Sequence, residues 1–174
     1  MSKSDYRFRE IKLRVYNKET KKMVFSNREQ VAFAINSKGF AVLDLDSEGN
    51  ILPEPLGDET NSVLMQGSGH RDEKNNDIYE GDVVFMCRRT IKGWLPVVGV
   101  VNAKDFTFSV NSGLTHYTFD YADKNLYVLG NIFETSDEDL AKEAQAKLDK
   151  FTPDALKKLV EEQKAEAKVV EKKS

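Results

Sequence analysis

The chain is poor in the residues that carry most recognisable chemistry. It has one cysteine, Cys87, and two histidines, His70 and His116, in 174 residues. A single cysteine excludes an internal disulfide framework. One thiol and two imidazoles far apart in sequence make a zinc site a poor fit. Cys87 ends the apolar run Val83–Cys87, where a buried and inert thiol is expected. A basic excess is lacking too. The net charge is −3 and the pI near 5.5, whereas proteins that grip duplex DNA through phosphates carry surplus cations. Any nucleic-acid site is therefore a local patch. No run is long and apolar enough to span a bilayer, and Met1–Arg9 has no apolar core of a signal peptide. The expectation is a soluble, cytoplasmic protein without membrane contact.

Hydrophobic residues make up 40% of the chain, enough for one packed domain or one domain with an appendage, and charged residues 32%, above the usual quarter. Ile11, Leu13 and Val15 alternate with Lys12, Arg14 and Tyr16, which predicts a half-buried strand with one wet face. The charged run 17–22 turns it back into Met23-Val24-Phe25. Gln30–Ile35 and Phe40–Leu45 flank Asn36-Ser-Lys-Gly39 as a hairpin. Asp46–Asn50 is a second turn, Pro53 and Pro55 end regular structure, and Gly57–Asn61 reads as a polar loop.

From Val63 the pattern becomes short strands at close spacing. Val63-Leu64-Met65 leads into Gly67-Ser-Gly69 and, after His70, which also reads as a loop residue, a polar loop, Arg71–Asp77. Val83–Cys87 and Val97–Val101 follow, then the alternating segments Phe106–Val110 and Tyr117–Tyr121, and last Leu126–Leu129. Such strands, punctuated by Gly, Asn and Asp turns, predict a mainly β (α+β) fold. Its centre is a small antiparallel β-barrel, SH3-like in style, whose closure hides strand edges. An N-terminal β-hairpin region covers about 9–56 and the barrel about 63–134. Residues 135–174 form a helical C-terminal extension. There, Ser136 precedes Asp137, Glu138 and Asp139, a cap with acids in the first turn. Leu140, Ala144, Leu148 and Phe151 recur at helical spacing. Thr152-Pro153 starts a second helix whose Leu156, Leu159 and Val160 form a short stripe, an assembly helix for a homo-oligomer or a partner.

Four blocks carry a resemblance. They are Arg9-Glu-Ile-Lys-Leu-Arg-Val-Tyr-Asn-Lys-Glu-Thr-Lys-Lys-Met23, Leu64-Met-Gln66, Asp77-Ile-Tyr-Glu-Gly-Asp-Val-Val84 and Val128-Leu-Gly-Asn-Ile-Phe-Glu134. In this order they resemble the YopX family of phage and prophage proteins, over about three quarters of the chain. Members usually carry a Thr-Gly-Leu-Lys-Asp-Lys-Asn-Gly-like run where this chain has Ser68-Gly-His-Arg-Asp-Glu-Lys-Asn75. The resemblance implies an origin and no reaction, catalytic residue or cofactor.

Gly81 in the third block is expected to take a positive φ. Asp82 is then placed to accept N–H bonds across the turn, with Tyr79 and Val83 packed beneath, a structural role for Tyr79, Gly81 and Asp82. Gly67-Ser-Gly69 lacks the Gly-Lys-Ser/Thr ending of a phosphate loop, and Asp44, Asp46 and Glu48 lack the closing Glu of a calcium loop. Two lone histidines define no catalytic triad. One cluster stands apart: Arg88, Arg89, Lys92 and Trp94 in a loop between strands. Guanidinium groups beside an indole can hold phosphate and stack a base, whereas the plainer reading is a solvated loop with Trp94 on the core. The leading functional expectation is a non-enzymatic phage or prophage accessory protein that binds a host or phage macromolecule, with a host or phage protein the expected partner. A nucleic-acid-binding module using 88–94 and a cryptic enzyme are the alternatives. Neither a cofactor nor a metal is expected.

Overall fold

The computed structural model describes residues 11–26, 30–91, 93–104, 107–119 and 124–150, without the side chains of 124 and 125. The fold is mainly β, built from antiparallel sheets with one helix after them. Two compact units share the chain. One comprises residues up to His70 together with Asp77–Glu80, the other Arg71–Asn76 and the residues from Gly81 onward.

The first unit holds seven strands: β1 (Leu13–Asn17), β2 (Lys22–Phe25), β3 (Val31–Asn36), β4 (Gly39–Asp44), β5 (Gly57–Asp58), β6 (Ser62–Arg71, its last residue in the second unit) and β7 (Asp77–Tyr79). They form a sheet of order β2-β1-β6-β7 and a smaller one of order β3-β4-β5. Val15 of β1 lies opposite Val24 on one side and Leu64 on the other. With Val42 of β4 these valines make the core, against which Phe33, Phe40, Leu56 and Leu64 pack. The predicted hairpin around 36–39 is present, with Asn36 opposite Gly39.

The wet face predicted for β1 does not exist. Arg14 and Tyr16 are each only 6% exposed. The strand is central, so partners cover it from both sides, and Arg14 sits with its guanidinium carbon 4.7 Å above the Tyr79 ring while donating to the Glu80 carbonyl at 3.0 Å. Alternation reports side-chain polarity and cannot report what lies across the other face. Two loops are also more ordered than their composition suggests. Gly67–His70 continues β6, placing half-buried His70 on a strand. Gly57–Asp58 is a short strand beside β4, closed by Asp58 accepting from the Thr60 and Asn61 N–H groups. β6 itself, grouped by sequence with the barrel strands, pairs with β1 in the first unit.

The second unit holds β8 (Asp82–Thr90), β9 (Gly93–Lys104), β10 (Thr107–Ser112), β11 (Thr115–Thr118), β12 (Lys124–Asn131) and α1 (Asp137–Lys150). The five strands form one sheet of order β11-β10-β9-β8-β12. Val84, Phe85, Met86, Cys87, Val101 and Val110 are fully buried, so both faces of β8 are covered and the thiol of Cys87 lies inside, as expected.

The sheet curls as a half-barrel, and Arg88 shows how far. Arg88 faces Leu95 on β9, while Tyr117 faces Val110, which faces Val101. In a flat sheet that offset is about 20 Å along the strands and about 14 Å across them. Yet Arg88 donates to the Thr118 carbonyl at 2.8 Å, and its guanidinium carbon is 5.5 Å from the Tyr117 ring centre. Only a strongly coiled sheet brings these groups together. Two register irregularities in β12, between Lys124 and Tyr127 and between Val128 and Gly130, add local twist.

α1 begins as its sequence predicts. The Asp139 N–H donates to the Ser136 hydroxyl at 3.2 Å, and that hydroxyl donates to the Asp139 carboxylate at 2.7 Å. The helix lies on β12. A methyl group on Gly130 would sit 2.9 Å from Leu140 Cδ2, so the helix approaches bare backbone. Lys147 Nζ lies 3.5 Å from the centre of the Tyr127 ring. Leu148 is partly exposed, and no α1 residue is fully buried. Phe151, Leu156, Leu159 and Val160 lie outside the described residues.

Candidate functional site

The run Asp77–Val84 is a structural joint. Its first half is held within the first unit. Asp77 pairs with Lys12 at 2.6 Å, the buried Tyr79 ring meets Arg14 and the edge of Phe25, and the Glu80 N–H donates to Gln66. Its second half is held within the second. Gly81 has φ of 80°, donates to the Val101 carbonyl at 2.8 Å and accepts from the Ile132 N–H at 3.1 Å. Asp82, 2% exposed, accepts from the side-chain amide of Asn131 at 3.2 Å. Asn131 in turn accepts the Phe133 N–H on its side-chain oxygen, and its own N–H donates to the Thr135 hydroxyl. The positive φ expected of Gly81 is thus present. One partner of Asp82 is a side chain from the fourth block, which sequence reasoning did not foresee.

Asp72 was not singled out by sequence. It is 7% exposed at the head of a five-residue loop, Asp72–Asn76. One carboxylate oxygen accepts the Lys74 and Asn76 N–H groups, and the other accepts the Asn76 side-chain amide at 3.1 Å and the Val128 N–H at 3.4 Å. Burial raises its pKa, but these hydrogen bonds from Asn76, Val128 and Lys74 outweigh it and hold the carboxyl below its ordinary value. The Glu73 N–H donates to the Leu126 carbonyl at 2.8 Å, so the loop occupies the outer rim of β12. An exposed loop, Asp46–Asn50, has the same build. Asp46 accepts the Glu48 and Asn50 N–H groups and the Asn50 amide, and the fourth residue has positive φ in both, Gly49 at 85° and Asn75 at 66°. The shared Asp-x-x-x-Asn spacing was the available signal.

The basic segment is a hairpin and not an open loop. Arg88 and Arg89 belong to β8 and Trp94 to β9, with Arg89 directly opposite Trp94 and Thr90 opposite Gly93. The Thr90 hydroxyl closes the tip by donating to the Gly93 carbonyl at 2.7 Å. Lys92 lies outside the described residues. Arg88 and Arg89 have different surroundings. Arg88 faces the inside of the curl and holds Thr118 and Tyr117. Arg89 is exposed, beside half-buried Trp94 on the opposite strand. Two apolar residues join them that sequence reasoning passed over: Ile91, fully exposed at the tip, and Leu95, 40% exposed.

Other polar groups are local. His116 Nδ1 is 2.6 Å from the Asn111 side-chain oxygen on an exposed stretch of β11. Burial, with the Glu73 and Asp72 carboxylates, pushes the Tyr127 hydroxyl above its ordinary pKa. Burial, with Lys150 and Lys74 nearby, pulls Lys147 below its own. Among the described residues no group of three or more His, Cys, Asp or Glu side chains could hold a metal, and no helix is long and apolar enough to cross a membrane.

The model of the YopX protein family matches residues 12–138, from β1 into the first turn of α1. The chain belongs to the YopX family. Among solved structures, this family member is similar to the yopX protein of Bacillus subtilis, at 20% identity and a TM-score of 0.54, over 72% of this chain and 95% of that one. A protein of Enterococcus faecalis is also similar, at 20% identity and a TM-score of 0.48, over 72% and 94%. At such identity the first likeness speaks for the fold alone. No curated protein matches this YopX-family chain.

Proposed function

We propose that this chain is a non-enzymatic accessory protein of phage or prophage origin, acting in the host cytoplasm by binding a host or phage macromolecule. The observation that carries the reading is the tip of the β8–β9 hairpin. Ile91 stands fully in water there, between Arg89 and the partly exposed Leu95. Covering so exposed an apolar side chain with a partner would remove apolar surface from water and favour association. The buried carboxylates support the non-enzymatic part. Asp72 and Asp82 are buried and accept hydrogen bonds from the chain's own amides, which engages them in holding the fold.

The test is a pull-down from host lysate with and without nuclease, using the full chain and a triple variant, Arg89→Ala with Ile91→Ala and Leu95→Ala. A retained partner that the variant loses, at unchanged thermal stability, is the expected result. Retention by both proteins alike would reject the hairpin tip as the contact. The nucleic-acid alternative keeps one supporting observation. Between Val83 and Lys104 the chain has four cations and no carboxylate.

A further inference from the structure

We infer that the chain pairs with a second copy of itself along β3, antiparallel and about a two-fold axis through Phe33. This pairing does not involve the β8–β9 hairpin. Among the described residues β3 is an outer strand, with β4 on one side and no strand on the other. It runs from Val31 to Asn36 without a charge or a proline. The other sheet edges are shorter or guarded. β2 and β11 have four residues, β7 three and β5 two, and the rim of β12 carries the Asp72 loop. A longer, uncharged, apolar edge invites another strand.

The backbone shows which groups are on offer. The Leu45 N–H donates to the Gln30 carbonyl at 2.8 Å, while the Val42 and Asp44 carbonyls accept from Leu56 and Leu52 on the far side of β4. Alternation along the antiparallel ladder fixes the rest. Ala32, Ala34 and Asn36 bond toward β4, so Val31, Phe33 and Ile35 direct their N–H and C=O groups to the outer edge.

The side chains say what fits there. Val31-Ala-Phe-Ala-Ile35 reads nearly alike in both directions about Phe33. A two-fold contact sets each residue against the one reflected through its centre. Phe33 then faces its own copy, Val31 faces Ile35, and Ala32 faces Ala34. All three outward residues exchange both hydrogen bonds in this register, and a slip along the strand leaves some of them unused. Val31 and Phe33 pack on the cluster of Val15, Val24 and Val42. Ile35 follows on the same face but is 55% exposed, and the second copy's Val31 would cover it. Ala32 and Ala34, on the other face, bring no bulk against each other. An unrelated strand could match the hydrogen bonds, but a second copy also brings the same apolar sequence in reverse.

The experiment is light scattering on the full chain over a concentration series. The mass should rise from 19.8 kDa toward twice that value. Ile35→Pro removes an N–H that β4 does not use, a position where an edge strand tolerates proline. It should weaken the dimer by about tenfold or more. The denaturation midpoint of dilute protein should not move. Register is read separately. Ala32 and Ala34 of two copies would form a non-hydrogen-bonded pair with Cα atoms about 4.5 Å apart, within reach of a disulfide. The native Cys87 is buried. Mixing Ala32→Cys chains with Ala34→Cys chains under mild oxidation should give a cross-linked dimer, whereas neither variant alone should. A mass that stays at 19.8 kDa up to about 1 mM overturns the inference. So does a dimer indifferent to Ile35→Pro, or cross-linking of either variant alone as readily as of the mixture.

Discussion

Gly81 sits at φ of 80° between a donor bond to Val101 and an acceptor bond from Ile132, so its conformation is fixed from both sides. Gly81→Val places a β-branched side chain in the left-handed region. It should cost more than about 1 kcal/mol, read as a lower midpoint in chemical denaturation. Asp72 makes a different prediction. Its folded pKa lies below the unfolded reference of 3.8, so the carboxylate form is favoured by folding. Its contribution is complete above that reference and disappears as pH falls through the folded value. Asp72→Asn should lower stability near neutrality and flatten the acid limb of a stability-versus-pH curve. An unchanged acid limb would show that Asp72 is not the group responsible. Gly81 was readable from sequence because a Glu-Gly-Asp turn before an apolar strand names its own geometry. Asp72 was not, because Asp, Glu, Lys and Asn in a row look the same whether a neighbouring strand or water receives them.

At the scale of elements, hairpins and caps were legible and the covering of faces was not. The 36–39 turn, the β1–β2 return and the Ser136 cap all follow from local chemistry, and all are present. The burial of Arg14, the pairing of β6 with β1 and the inward commitment of Arg88 depend on residues tens of positions away. Arg88 gives the curl a test. Arg88→Ala should remove protection from hydrogen exchange in β11 while sparing β8 and β9. Arg88→Lys should restore it only in part, since an ammonium group lacks the planar fork. Loss of protection across the whole sheet would mean that Arg88 is not a local closure. α1 gives another. It has no fully buried residue and rests on Gly130 and Tyr127. Truncation after Ser136 should keep a cooperative melt and cost about 1–2 kcal/mol for the contact of Leu140. Loss of cooperativity would place α1 in the core. A change in mass by light scattering, with the melt intact, would assign assembly to the removed residues.

For the whole molecule, class and family were legible, since order and spacing of the four blocks survive where identity is low. The site was legible only in outline. Arg88, Arg89, Lys92 and Trp94 stood out as cations and an indole, but charge along a chain does not say which side of a curled sheet each residue faces. Ile91 and Leu95 were not singled out, because an aliphatic residue beside a turn looks the same in sequence whether it is covered or bare.

The Asp72 loop has a consequence for how the molecule fails. By occupying Leu126 and Val128 it leaves no run of open hydrogen-bonding groups along that side of β12 for another molecule to extend. Protonating Asp72 weakens that guard before the buried valines of the sheet come apart. Acid below the folded pKa of Asp72, itself below 3.8, should therefore favour ordered fibrils seeded along β12 over soluble unfolded chains. Thioflavin fluorescence should rise while the sheet signal in circular dichroism persists, and Asp72→Asn should bring that rise to neutral pH.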